Sequence, residues 1–316
     1  MTLPLVTVII PTCRRASMVR RAVLTALAQD YPHVEILVID DNTQAHEQRA
    51  VRQVLADFGE AVTVMPNTRR KGACGARNTG ILCARGEFVA FLDDDDGWLP
   101  GKLRQQVALL ERAPLAGAYC DFIDVGFGHA RRCRTRHPLL TRTLALRGEC
   151  PTSTSLVMVR TAVLKNAGLF DESLASFQDF DMWLRCLSFG DFGCVGEALA
   201  TFVQHHGDRT SVNLERRAAG LAAIEAKWGK EMSEHADFRE FRRRVTVAAL
   251  IENGKAALGR GYFTALRFFG RAFAADRFSI HAGFWFAVGL LGARWGRALY
   301  GRSLKLRRVE TASVPA

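Results

Sequence analysis

Four successive carboxylates, Asp93-Asp94-Asp95-Asp96, follow directly on the apolar run Phe88–Leu92. Carboxylates crowded in this way repel one another and raise their own pKa values unless a cation lies among them. Their oxygens suit Mg2+ or Mn2+, which keeps several waters and bridges protein carboxylates to the diphosphate of a substrate. The plainer reading is a solvated loop whose aspartates cap a helix over Leu99–Arg112. A second acidic pair lies in Gln178-Asp179-Phe180-Asp181, inside a segment, Ser176–Phe189, that reads as a helix. Two residues along a helix amount to roughly 200° of rotation, so Asp179 and Asp181 cannot both face one pocket. A carboxylate within hydrogen-bond reach of a hydroxyl can take its proton as that oxygen attacks. Ser176-Phe177-Gln178-Asp179 also fits the S-x-x-D capping box, in which Asp179 would serve only to start the helix.

The elements that must position these groups are legible from periodicity. Val6–Ile10, Ile36–Ile39, Phe88–Leu92 and, more weakly, Val62–Met65 are continuous apolar runs, the pattern of strands buried on both faces of a mostly parallel sheet. Between them Val19, Ala22, Val23, Ala26 and Leu27, and then Val51, Val54, Leu55 and Phe58, follow helical spacing. Strand and helix alternating from residue 6 to about 112 predict an α/β domain with a doubly wound sheet. Ligands of such sheets gather at the carboxyl ends of the strands, where this chain has Pro11-Thr12, Asp40-Asp41-Asn42 and Asp93–Asp96. Asp40-Asp41 also suits a simple strand-ending turn. Farther along, Ala118–Ile123 and Leu199–Gln204 read as strands, His129–His137 as a basic hairpin or loop, and everything from about Leu214 as helix.

Composition narrows the functional classes. The chain has 316 residues, 48% hydrophobic and 24% charged, which is ordinary for a globular protein of one large domain and an appendage. Its eight cysteines are scattered singly with no CxxC pair, which argues against a zinc site and for free thiols in a reducing cytoplasm. Met1–Pro4 carries no basic n-region, and Val6–Ile10 ends at Pro11, so no signal peptide is expected. No G-x-G-x-x-G follows the first strand, which excludes a dinucleotide-binding Rossmann enzyme.

Six segments in fixed order resemble glycosyltransferase family 2, whose members adopt the GT-A fold. They are Val6–Thr12, Glu35–Asn42, Gly75–Ile81, Gly86–Pro100, Gly168–Glu172 and Gln178–Arg185, across about 200 residues. The resemblance implies an inverting transferase that moves a sugar from a nucleotide-diphosphate donor to an acceptor hydroxyl. It implies further that Asp41 contacts the nucleotide base, with Pro11 and Thr12 lining the same pocket. Asp93 and Asp94 would face the ribose and phosphates, and Asp95 would bind Mn2+ or Mg2+ as the second carboxylate of a D-x-D motif. Arg77 would lie near the nucleotide, on a helix opening at Gly72–Gly75; otherwise it is a surface arginine. Asp179 matches the family's base, with Gln178 where Glu is commoner, and Asp181 is the competing choice. Cys150–Ser155 resembles an acceptor-side segment. A histidine after the last strand, His206 or its neighbour His205, would approach the metal. The expected organisation is a GT-A catalytic domain over 1–213, with a nucleotide-sugar half (1–112) and an acceptor half (113–213), then a helical region over 214–316. A nucleotidyltransferase on a similar sheet is the neighbouring alternative, although Pro11–Arg15 lacks the glycine-rich loop such enzymes need. A catalytically dead binding or scaffold protein is the other, and intact Asp95 and Asp179 speak against it.

The excess charge has a location. Residues 241–316 hold 14 Lys or Arg against 3 Asp or Glu, which accounts for the whole net charge of +11. Phe278–Ala293 is sixteen residues without a charge, short of the ~18–20 that span a bilayer. Arginines flanking an aromatic-rich helix suit an anionic membrane surface, and equally a helical pair packed on the catalytic domain. Nucleic acid is not expected, because the aromatics form a block and are not interleaved with the charges. The expected acceptor is a saccharide or lipid-linked glycan of the cell envelope, met at the inner face of the membrane.

Overall fold

The computed structural model describes residues 3–126, 129–135, 137–151, 153–203, 213–235, 238–258 and 261–290. Strand β1 (Val6–Thr12) is buried along its full length, and helix α1 (Ala16–Leu27) covers it with Val19, Ala22, Val23 and Ala26. Then come β2 (Val34–Asp40), α2 (Ala45–Leu55), β3 (Thr63–Pro66), α3 (Ala73–Cys83) and β4 (Phe88–Phe91). These four strands lie parallel in the order β3-β2-β1-β4. The sequence reverses direction at β1, with β2 on one side and β4 on the other, and this opens a crevice at the strands' carboxyl ends.

The second half continues the same sheet with mixed directions. It holds β5 (Gly97–Trp98), α4 (Lys102–Arg112), β6 (Gly117–Gly126), β7 (His129–Cys133), β8 (Leu139–Leu140) and α5 (Arg142–Leu146). After these come β9 (Val157–Arg160), α6 (Thr161–Asn166), α7 (Gln178–Cys186) and β10 (Phe192–Val203). Antiparallel β9 joins β4 to β6, and β6 runs parallel to β10. The result is an α/β sheet flanked by helices, as the apolar runs predict. The last strand begins well before Leu199, because Phe192 and Gly193 already pair with β6 and with β8.

Helices α8 (Leu214–His235), α9 (Phe238–Ala257), α10 (Tyr262–Ala275) and α11 (Ile280–Leu290) complete the described chain. Their packing divides inside α9. Leu221, Ile224, Met232, Phe238 and Phe241 belong to the same core as the sheet, whereas Val247 to Val288 form a second, smaller core. Among the described residues no helix is long and apolar enough to cross a membrane.

Two close approaches fix the elements that carry the site. Helix α3 lies so near β1 that a Cβ on Gly80 would stand 2.6 Å from Ile9 Cγ2. Helix α8 lies so near the entry to α7 that a Cβ on Gly220 would stand 2.1 Å from Ser176 Oγ. Beneath the acidic run, Lys102 is fully buried, its Nζ 4.2 Å from the centre of the Trp98 ring and donating to Gln106 Oε1 at 2.8 Å. Burial lowers its pKa from 10.5 to about 8. The folded chain therefore binds fewer protons than the unfolded chain between those values, so this lysine's penalty fades as pH rises through that window. Replacing it, as in Lys102→Met, should remove the effect. Thermal unfolding of both proteins from pH 7 to 10.5 is expected to show the wild type gaining on the variant above pH 8.

Candidate active site

The crevice is built where three parallel strands end. Thr12 stands beside Asp40 in register, and the Asp41 N–H donates to the Thr12 carbonyl at 2.9 Å. Pro11, one residue earlier, pairs with Ile39 and is buried. The Asp41 carboxylate accepts from Asn67 Nδ2 at 2.7 Å and from the Gly72 N–H at 2.9 Å. It thus links the ends of β2 and β3 to the start of α3, which is more than a strand-ending turn requires. Asn42 is buried next to it; its Oδ1 accepts from the Arg14 N–H at 2.7 Å, and its Nδ2 has no partner.

The four consecutive carboxylates point in different directions and meet different partners. Asp93 is paired with the guanidinium of Arg77 and accepts from Thr154 Oγ1 at 3.2 Å. Asp94 accepts from Thr12 Oγ1 at 2.8 Å and from Arg15 Nη1 at 3.0 Å. The same Arg15 nitrogen donates to Asp95 Oδ2 at 2.9 Å. Asp96 accepts from Ser155 Oγ at 2.6 Å. Burial pushes Asp94 up to about 6, with Arg15 and Thr12 pulling it back. Burial also raises Asp96 well above the ordinary range, and Asp93 and Asp95 add to that shift. None of the four caps α4, whose N-cap is Gly101 with no side-chain bond, so the capping-loop alternative falls.

These positions test which carboxylate a hard cation would meet. The side chains of Asp93 and Asp95 are 29% and 18% exposed, whereas Asp94 is 6% exposed and committed to Thr12 and Arg15. Among the described residues, no group of three or more His, Cys, Asp and Glu could hold a metal by itself. Such a donor set fits Mg2+ or Mn2+, which completes its shell from waters and a substrate diphosphate. His205 and His206 lie outside the described residues.

Arg77 is not a surface arginine: it is 7% exposed, its Nε has no partner, and its guanidinium lies 5.6 Å from the Phe170 ring centre. Burial works against its charge, and Asp93, Cys74 and Asp179 together outweigh that, so its pKa is raised.

Asp179 stands near Arg77 at the start of α7. Its Oδ1 accepts from the Phe180 N–H at 2.9 Å, and burial raises its pKa while Arg77 opposes the shift. The capping-box reading is overturned. Helix α7 starts at Gln178, two residues later than Ser176, and its N-cap is Phe177 at φ 61° with no side-chain cap bond. Ser176 lies before that N-cap, and its hydroxyl donates to the Arg216 carbonyl at 3.1 Å. Asp181 faces the other way, as the helical rotation requires. It is fully buried and accepts from Arg185 Nη2 at 2.8 Å, Lys227 Nζ at 2.7 Å and Trp228 Nε1 at 2.9 Å.

Several participants are not evident from sequence patterns. Arg15 is one; the signal available for it is a basic residue three positions after the end of the central strand. Asn67 is another, directly after β3 at the same edge as Asp41. Ser153 and Ser155, in the segment that resembles an acceptor-side stretch, bond through their hydroxyls to Asp96. A cavity of about 430 Å3 along the β6–β7 hairpin, lined by Asp121, Arg132, Arg134 and His137, includes none of the site residues.

Comparison with known proteins gives this arrangement a family. The model described as glycosyl transferase family 2 matches residues 7–164. The succinoglycan biosynthesis protein ExoO of Rhizobium meliloti is 30% identical over 290 residues, 83% of this chain and 81% of that protein. The Escherichia coli UDP-Glc:alpha-D-GlcNAc-diphosphoundecaprenol beta-1,3-glucosyltransferase WfgD is 31% identical over 119 residues, 37% of this chain and 46% of its own length. Among solved structures, the mannosyltransferase PcManGT from Pyrobaculum calidifontis, in complex with GDP-Man and Mn2+, superposes with a TM-score of 0.58 at 21% identity. That match covers 92% of this chain and 85% of the other.

The geometry separates the two aspartates of α7 by consequence. Asp181→Asn would leave Lys227 and Arg185 beside a neutral group in a buried setting, a loss of about 3 kcal/mol. Thermal or urea unfolding should register that drop, whereas Asp179→Asn should unfold close to the wild type.

Proposed function

Since the chain belongs to glycosyltransferase family 2 and has the GT-A fold, we propose that it is an inverting, metal-assisted transferase acting on a nucleotide-diphosphate sugar. The observation that carries this reading is the meeting of Asp93, Arg77 and Asp179 at the carboxyl edge of the sheet, where a donor's diphosphate and an acceptor's hydroxyl can both be reached. In this reading Asp41 receives the nucleotide base beside Pro11 and Thr12, and Asp93 and Asp94 face the ribose and phosphates. Asp95 holds Mn2+ or Mg2+, which when bound offsets the charge developing on the departing nucleoside diphosphate. Asp179 takes the proton from the acceptor hydroxyl as its oxygen bonds to the anomeric carbon. The bond from that carbon to the diphosphate breaks on the opposite face, and the configuration inverts. Burial suits Asp179 to the task by holding its basicity above that of a solvated carboxylate.

Screening the purified chain for nucleotide-sugar hydrolysis and transfer, with and without Mn2+, tests the reading. Turnover should require the metal, and Asp179→Asn should lower transfer about a hundredfold or more while nucleotide binding stays near wild type. Full activity in EDTA, or an active Asp179→Asn, would sink it.

The proposed setting is the cytoplasmic face of a membrane, with a saccharide or lipid-linked acceptor of an envelope glycan. The support is the surface of α10, α11 and the turn between them, where Phe263, Phe278 and Ile280 are 77%, 94% and 89% exposed and Arg267, Arg271 and Arg277 are exposed as well. Each basic residue near an anionic leaflet contributes about 1 kcal/mol, and the aromatics can enter the interface. Co-sedimentation with anionic vesicles should be clear at low salt and fade as salt rises. A chain that stays in the supernatant at low salt would remove the membrane from this reading.

A further inference from the structure

The first turns of α8 are pressed against the segment that delivers Asp179. Gly220 permits the contact, and the Ser176 hydroxyl bonds to the Arg216 carbonyl. Between these two, the guanidinium of Arg217 lies 4.8 Å from the ring centre of Phe177, two residues before Asp179. Its Nε is buried without a partner, and among the described residues no hydrogen bond or ion pair reaches the guanidinium. Burial draws its pKa below the ordinary value, against the pull of Asp179. A cation so placed is unfavourable unless an anion meets it.

Arg217 also lines a cavity of about 250 Å3 between α8 and α9, together with Leu221, Leu250, Glu225, Arg242 and Arg271. Glu225 is matched by Arg242 at 3.7 Å, which leaves Arg217 and Arg271 without an ion pair among the described residues, beside Leu221 and Leu250. Two arginines above an apolar floor suit an amphiphile with an anionic head. Arginine's planar fork is well matched to phosphate oxygens.

We propose that this cavity binds the diphosphate end of a lipid-carried acceptor, with Arg217 and Arg271 on the phosphates and the start of the lipid chain along Leu221 and Leu250. The proposal rests on the transferase reading above and names the acceptor class of that same site. In a glycosyl diphosphate the sugar ring lies directly next to the phosphates. Arg217 lies against Phe177, two residues before Asp179, so phosphates held there set the adjoining ring beside the start of α7. The acceptor side of the site is then built partly by the helical region, and the exposed Phe263 lies on α10, the helix that delivers Arg271.

The probe is farnesyl diphosphate, titrated into the full chain with EDTA present so that no metal holds a diphosphate at Asp93–Asp96. Binding is expected, and both farnesol and inorganic diphosphate should bind at least about tenfold more weakly, since each lacks half of the recognition. Arg217→Gln and Arg271→Gln should each weaken farnesyl diphosphate about tenfold, with Arg217→Lys partly restoring it. Arg271 is exposed, so its variant keeps the test readable even if Arg217→Gln disturbs the docking of α8. The proposal is overturned if the unmodified chain does not bind farnesyl diphosphate, if inorganic diphosphate binds as tightly, or if both glutamine variants bind like wild type. Nucleotide-sugar hydrolysis by the unmodified chain, measured in parallel with Mn2+, separates the two readings. Hydrolysis without farnesyl diphosphate binding removes this cavity and leaves the transferase, whereas arginine-dependent binding without hydrolysis keeps the lipid site and removes the transferase reading.

Discussion

Arg15 bridges Asp94 and Asp95, and Arg77 pairs with Asp93, so that two cations from two helices' ends stand against four successive carboxylates. Without them the end of β4 would carry uncompensated charge in a partly buried crevice, a condition that costs several kcal/mol per ion. The surrounding structure is arranged to supply these cations. Arg15 comes from the turn that ends β1, and Arg77 from a helix held against β1 through Gly80. Hydroxyls do the remainder: Thr12 on Asp94, Thr154 on Asp93 and Ser155 on Asp96. The balance is incomplete, since Asp94 and Asp96 still lie above the ordinary carboxylate range. A cation brought to this crevice would lower that remaining repulsion, which is the physical basis of the metal in the proposed reading.

Much of this was legible in the sequence because strands buried on both faces leave an unbroken apolar run. The runs at Val6, Ile36 and Phe88 mark β1, β2 and β4, and the polar residues that end them are the ones that line the crevice. Pro11, Thr12, Asp41, Arg77 and Asp93–Asp96 all gather there, as strand ends in a sheet of this order must. Where local pattern misleads, a distant contact is responsible. Ser176 has the right spacing for a cap, yet its hydroxyl is oriented to the Arg216 carbonyl forty positions later, and the helix starts only after Phe177, which enters α7 in a left-handed conformation. Arg15 carries no periodic signature; only the folded turn reveals that one nitrogen reaches two carboxylates. The second core, from Val247 to Val288, was equally hidden, because helical spacing shows that a face is buried and not what buries it.

The two aspartates of α7 meet opposite surroundings. Asp181 is fixed by Arg185 on its own helix and by Lys227 and Trp228 on α8, while among the described residues Asp179 keeps only a backbone donor. A base held by strong partners would be a poor proton acceptor, so fixing α7 through its other carboxylate leaves Asp179 positioned and uncommitted. Helix α8 supplies that fixation, and Phe241 of α9 stacks on Phe180 at 5.3 Å to complete it. The helices after residue 213 therefore bear directly on the orientation of the candidate base. A change in how α8 docks, whether from a substitution at Gly220 or from a ligand at Arg217, reaches Asp179 through Ser176 and Phe177 as well as through Asp181. In the proposed reading, acceptor binding at Arg217 and the positioning of Asp179 are coupled through these contacts.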